Sequence, residues 1–278
     1  MEIKMLDLVK NAIANIQGGQ ETSPNSTSKF VILSVPRTGS NFLCSTLDSH
    51  PEVLCHPELF HLEHICYSKK YLKSGGERFS TPQKRDRSPK SFMNQIWQQE
   101  FDCRAIGFKL MLWQNKRAFN LVLKNKSIKK ILLFRNNKLK TYVSEKIAKK
   151  KKVWMTPESN LEKKEQNARQ LSITVKPKYF YEYITIVDKF YESLRKKLKV
   201  SNQVFLEIAY EELLGRENEA VKLNILEFIG VSENPEYLKS NLKKQNPQPL
   251  SELIENFYEL EEALKGTELE PYLYASDF

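Results

Sequence analysis

The sequence predicts an α/β fold, a single domain on a central, mostly parallel sheet of four to five strands flanked by helices. Short runs of strand length, the apolar Phe30–Leu33 and Ile131–Phe134 and the mostly apolar Val204–Ile208, are separated by longer stretches with helical periodicity. The run Ile131-Leu132-Leu133-Phe134 is continuously apolar, as a parallel strand covered on both faces should be. With 278 residues and a hydrophobic fraction of 40%, the chain is long and apolar enough to bury a core of that size.

The elements follow in order. Leu6, Val9, Ile13 and Ile16 lie at helical spacing and predict an amphipathic helix over residues 3–17, packed on the main body. Gly18–Ser28 is rich in Gly, Ser, Thr, Asn and Pro and reads as a linker. Residues 1–28 are therefore a helix and linker, and residues 29–278 are the domain. The first strand runs to about Val35. Ser34-Val35-Pro36-Arg37-Thr38-Gly39-Ser40-Asn41 follows, and Phe42–Leu47 continues as a helix. Small residues there let backbone N–H groups converge, the helix N-terminus adds partial positive charge, and Arg37 adds a full one. This is the make-up of an anion site, for a phosphate or a sulfate group. The segment lacks the GxxxxGK[ST] pattern, with its phosphate-reaching Lys and Mg²⁺-holding Ser or Thr.

Residues 68–91 are charged, contain Gly and Pro, and predict a long surface loop. Phe92–Gln99 predicts a helix, Ala105–Leu112 a second strand, and Lys129–Phe134 a third. A helix over 138–150 is expected next. Another is expected over 178–199, with Phe180, Tyr183, Ile184, Val187 and Phe190 on one face. Val204–Ile208 predicts a fourth strand, and helices complete the chain. Arg135 falls at the carboxyl end of its strand, where open α/β sheets bind ligands, and Ser144 lies on the next helix. A guanidinium and a hydroxyl so placed suit one phosphate group.

Composition narrows the classes further. Lys and Arg number 44 against 34 Asp and Glu, a net charge of +10. That excess suits a polyanionic ligand, nucleic acid, an anionic membrane surface, or simply a solvated lysine-rich surface. Aromatic residues follow core periodicity and do not punctuate the basic runs, which argues against a nucleic-acid-binding protein. Cys44, Cys55, Cys66 and Cys103 form no CxxC pair, no His spacing suggests zinc, and reduced cysteines are expected. No run approaches a membrane span, and Glu2, Lys4, Asp7 and Lys10 interrupt any signal-peptide core, so a cytoplasmic protein is expected.

Ser34–Asn41 resembles the 5′-phosphosulfate loop of sulfotransferases that use 3′-phosphoadenosine-5′-phosphosulfate (PAPS). The Arg-Thr-Gly-Ser-Asn form is similar to that of bacterial carbohydrate sulfotransferases of the trehalose and nodulation-factor type. Arg135-Asn136 and Leu139–Ser144 resemble the family's 3′-phosphate element, with Asn137 as one extra residue. Residues 85–89, Gly107–Met111, Tyr210–Leu213, Leu242–Pro247 and Ile254–Phe257 also resemble family segments, so the likeness runs from about residue 29 to 265. The resemblance implies a P-loop NTPase-like fold and metal-free sulfuryl transfer from PAPS to a carbohydrate, glycolipid or other small hydroxyl acceptor. It implies that Arg37, Thr38, Gly39, Ser40 and Asn41 hold the 5′ side of the nucleotide, and that Arg135 and Ser144 hold the 3′-phosphate. Lys109 and Lys243 are expected to line the site. Glu58, in Glu58-Leu59-Phe60, is the expected base, and His56 is its rival, since an imidazole's ordinary pKa suits the task. Lys149–Lys152 reads as a solvated helix end or a source of positive potential. The competing readings are a small-molecule kinase on a related fold and a non-catalytic nucleic-acid-binding protein.

Overall fold

A computed structural model describes residues 27–98, 102–151, 171–215, 218–232, 234–240, 242 and 246–275. The helix and linker expected over residues 3–26 lie outside that set. The expected α/β architecture is present: five strands, all parallel, in one helix-flanked sheet. They are β1 (Ser28–Ser34), β2 (Val53–His56), β3 (Ala105–Leu110), β4 (Ile128–Phe134) and β5 (Phe205–Ala209), in the order β2-β3-β1-β4-β5. The first strand is thus central, with β3 and β4 on either side. Phe30, Val31, Ile32 and Leu33 are wholly buried, because helices cover both faces. One face packs Val31, Leu33 and Phe108 against Phe92, Ile96, Phe119 and Tyr191. The other packs Phe30, Ile32 and Ile131 against Leu43, Leu47, Ile225 and Ile229.

Two expectations need correction. β2 is an additional edge strand that the apolar runs did not mark; it is short and ends against Pro57. Residues 68–91, expected as a loop, contain α2 (Lys69–Lys73) and α3 (Pro82–Arg87). The second starts as a helix should, with Thr81 accepting the Lys84 N–H at 3.3 Å and Pro82 in the first turn. It buries Arg85 completely. The Arg85 Nη1 donates to the carbonyls of Leu59, His61 and His64 at 2.8–2.9 Å, and Asp86 neutralises its Nε at 2.8 Å. A side chain expected at the surface therefore clamps the turn after Glu58.

The remaining helices are α1 (Ser40–Asp48), α4 (Pro89–Trp97), α5 (Lys116–Lys124), α6 (Lys138–Lys151), α7 (Pro177–Val200), α8 (Tyr210–Leu214), α9 (Asn218–Ile229), α10 (Leu250–Leu253), α11 (Phe257–Leu264) and α12 (Pro271–Tyr274). Tyr191 of α7 fixes the carboxyl end of the sheet. Its hydroxyl donates to the Leu133 carbonyl at 2.6 Å and accepts the Val35 N–H at 3.2 Å. One buried phenol thereby ties together the ends of β1 and β4, the strands that lead into Arg37 and Arg135.

Gly107 in β3 lets the sheet pack on Phe30, because a Cβ at this position would lie 2.4 Å from the Phe30 ring. Gly107→Ala is expected to destabilise the fold by about 1–3 kcal/mol through overpacking. A thermal melt checks this, and an unchanged melting temperature would contradict the packing described.

Candidate functional site

The expected anion loop, residues 34–41, is shaped by two left-handed residues, Arg37 (φ 64°) and Gly39 (φ 79°). Arg37 adopts a conformation that costs a side-chain-bearing residue free energy. At Gly39 a Cβ would also meet the Tyr210 ring at 2.2 Å, so the position requires glycine twice over. Thr38 turns inward, its hydroxyl donating to the Val35 carbonyl at 2.9 Å. Ser40 and Asn41 begin α1 and line the adjoining cleft with Arg37.

The second cationic element meets the first. Arg37 Nε donates to Ser144 Oγ at 2.9 Å, across 107 residues of sequence. Ser144 also accepts from Asn246 Nδ2 at 3.2 Å. With both lone pairs engaged, its own proton is left to donate to an anion. Arg135 lies almost buried over the Tyr210 ring, 5.0 Å from the centroid, with Glu211 at 4.0 Å from its Nε. Burial, and then the neighbouring Arg135 charge, lower the Arg37 pKa from its ordinary value. Two cations are thus held close enough to repel. Asn137, the extra residue of this element, caps α6 by accepting the Lys140 N–H at 2.9 Å, and its Nδ2 reaches the carbonyls of Tyr272 and Ala275.

Glu58 faces the same cleft from the β2 side. Lys109, at the end of β3 and 1% exposed, places its Nζ 2.7 Å from Glu58 Oε1 and also bonds Asn41 Oδ1. Gln114 donates to Glu58 Oε2 at 2.8 Å, while its own Oε1 accepts the Met111 N–H at 3.1 Å. A continuous chain, Asn41–Lys109–Glu58–Gln114, therefore joins the anion loop to a fixed carboxylate. Gln114 was not singled out from the sequence. It sits in an ordinary-looking turn after β3, and only the fold brings it to Glu58.

His56 is placed differently. It is wholly buried, its Nδ1 accepts the Ser68 N–H at 3.0 Å, and its ring packs edge-on against Tyr67 and Tyr71. Burial lowers its pKa to about 3. It is not among the residues lining the cleft, whereas Glu58 is. The cleft has a volume of about 2030 Å³, roughly twice the ~1,000 Å³ upper end for a single small-molecule site. Lys149 borders it and pairs with Glu145 at 2.5 Å. Lys243 and Lys152 lie outside the described residues.

No family model matches the sequence, and no curated protein matches it. Solved structures that align with the fold include the sulfotransferase domain of the Synechococcus PCC 7002 olefin synthase. It has 14% identity and a TM-score of 0.41, over 87% of this chain and 86% of that one. A sulfotransferase from Alicyclobacillus acidocaldarius aligns at 16% identity and a TM-score of 0.42, covering 90% and 97% of the two chains. A mouse sulfotransferase complexed with PAP, the 3′,5′-bisphosphate left after sulfuryl transfer, aligns at 13% and 0.36, covering 90% and 75%.

The buried His56 makes stability pH-dependent. The unfolded chain protonates this imidazole near pH 6.5, whereas the folded chain does so only near pH 3, so stability is lost as pH falls through that window. Between pH 7 and pH 5 the loss from this group is about 2 kcal/mol. His56→Gln keeps an acceptor for the Ser68 N–H and is expected to flatten the dependence. Urea midpoints at the two pH values test it; parallel pH slopes in variant and parent would refute the assignment.

Proposed function

We propose that the protein is a sulfotransferase that moves the sulfuryl group of PAPS to a hydroxyl of a small acceptor, with carbohydrates and glycolipids the first candidates. The observation that carries this reading is the hydrogen bond from Arg37 to Ser144, which joins two cationic elements from adjacent strand ends: Arg37 lines the cleft with Glu58, and Arg135 lines a smaller pocket that shares Val35, Tyr183 and Val187 with it. Two such elements suit a nucleotide phosphorylated at both its 5′ and 3′ positions.

The residues fit the nucleotide as follows. Arg37 and the backbone N–H groups of Thr38, Gly39, Ser40 and Asn41 would hold its 5′ side. Arg135 and Ser144, with Asn246 beside them, would hold the 3′-phosphate. PAPS, when bound, supplies the sulfuryl group and a phosphate leaving group. Glu58 would take the acceptor's proton; each of its oxygens has one partner and therefore a further lone pair to offer. Once Glu58 is protonated, the Lys109 charge is no longer balanced by it. That charge then adds to Arg37 in stabilising the negative charge that develops beside the anion loop. His56, neutral and enclosed, supports the packing around Tyr67 and Tyr71.

PAP is expected to bind with a Kd on the order of micromolar in the presence of a chelator, since the anion loop carries no Walker-type Lys and Mg²⁺-binding hydroxyl. Arg135→Ala should weaken PAP by about 1.5–3 kcal/mol while sparing the analogue that lacks the 3′-phosphate. Calorimetry with both ligands decides it. Equal losses would remove Arg135 from 3′-phosphate binding, and stabilisation by Mg²⁺–ATP but not by PAP would move the protein to the kinase class.

Glu58→Gln should leave PAP affinity nearly intact and lower turnover about 10²–10⁴-fold. His56→Gln should retain most of the activity. Transfer of ³⁵S from labelled PAPS into a cell extract supplies the assay, and an inactive His56→Gln with a working Glu58→Gln would reverse the roles.

A further inference from the structure

Among the described residues, eleven large hydrophobic side chains are exposed, and four of them line this one cleft. Leu62 is 65% exposed, Leu112 38%, Trp113 52% and Ile186 68%. Single exposed apolar side chains are ordinary, but several gathered in one concavity mark a binding surface. They arrive on three separate segments that line the cleft together with Glu58. Leu62 follows Glu58 by four residues, in the turn that Arg85 clamps. Trp113 immediately precedes Gln114, whose amide holds the carboxylate. Ile186 belongs to a stripe on α7, with Tyr183, Val187 and Phe190 at helical spacing, all lining the cleft. The other wall, at the anion loop, presents Arg37, Ser40, Asn41 and Ser45.

We infer that the acceptor is amphipathic: its reacting hydroxyl is attached to an apolar alkyl or aryl body that lies against Leu62, Trp113 and Ile186. This rests on the sulfotransferase reading and narrows its acceptor class, setting bare sugars aside. A bare sugar needs a ring of hydrogen-bonding partners. Beside Glu58, however, Gln114 has a bond at each end of its amide, Lys109 is held by Glu58 and Asn41, and the polar His61 and Glu63 are separated by the exposed Leu62. The cleft is also larger than one nucleotide requires, which leaves room for such a body next to the donor. The reaction is unchanged in its balance. The acceptor oxygen forms a bond to sulfur, the bond from sulfur to the phosphate oxygen breaks, and the hydroxyl proton passes to Glu58.

The test titrates PAP-loaded protein with glucose and then with methyl, butyl, hexyl and octyl glucosides below their micelle concentrations, followed by calorimetry. Affinity is expected to rise about three- to fourfold per added methylene while the chain still finds wall to cover. The Trp113→Ala/Ile186→Ser double variant changes two exposed side chains, so it should keep the parent's melting temperature and PAP affinity while losing most of that chain-length dependence. Glucose binding as tightly as octyl glucoside would overturn the inference, as would an undiminished chain-length slope in the double variant. Repeating the series without PAP separates the two readings. If PAP fails to bind, the donor assignment falls, and the chain-length slope of the nucleotide-free protein still decides the apolar wall.

Discussion

Two guanidinium groups brought near each other at neighbouring strand ends, Arg37 on the cleft and Arg135 in the smaller pocket beside it, are the constraint on which this edge of the sheet depends. Like charges do not gather in a partly buried basin unless the fold forces them together or an anion joins them. Here the fold does the forcing, and Glu145 and Glu211 offset part of the repulsion. Arg37 and Arg135 follow adjacent parallel strands whose ends share one phenol, that of Tyr191. Neither loop can move away without breaking a buried hydrogen bond. Tyr210 serves both elements, since its ring lies against Gly39 and under the Arg135 guanidinium. Under the proposed function, repulsion built in at folding would become attraction for a multiply charged ligand, which is pre-organisation in electrostatic form.

The Glu58 side of the cleft encloses its cations more completely. Arg85 and Lys109 are enclosed, and each has partners of its own: Arg85 three carbonyls and Asp86, Lys109 Glu58 and Asn41. A buried charge without such partners would cost several kcal/mol. Their geometry is therefore stringent, and it fixes the turn that bears Glu58. On the Glu58 side the cations hold a carboxylate and backbone carbonyls; on the other, Arg37 bonds the Ser144 hydroxyl and Arg135 lies over the Tyr210 ring beside Glu211.

Much of this architecture was legible in the chain. Continuous apolar runs announced β1 and β4, and the residues closing them, Arg37 and Arg135, do sit at the carboxyl edge of the sheet. The lapses have physical reasons. β2 is an edge strand of four residues, Val53–His56, too short for periodicity to register. The helix Pro82–Arg87 looked like solvent-facing loop because its most important side chain is an arginine, whose burial is satisfied by carbonyls that no sequence pattern displays. Its Thr81-Pro82 start was a usable signal. His56 and Glu58 could not be separated by residue type. What separates them is a backbone N–H from Ser68 and the packing of two tyrosines. Gln114 was silent because its role exists only across 56 residues of sequence.

Asn137 links events that are far apart in time. Its amide is satisfied by carbonyls as distant as Ala275, 138 residues further along the chain. At ribosomal speeds of roughly 5–20 residues per second, about 7–28 seconds of synthesis separate the two partners. Through that interval the start of α6 and the neighbouring Arg135 loop lack their final support, even with the strands beneath them already made. Completion of this end of the cleft is therefore tied to completion of translation through residue 275. A polypeptide released after β5 but before that point would carry the sheet and the Glu58 network, yet would leave the surroundings of Arg135 unfinished.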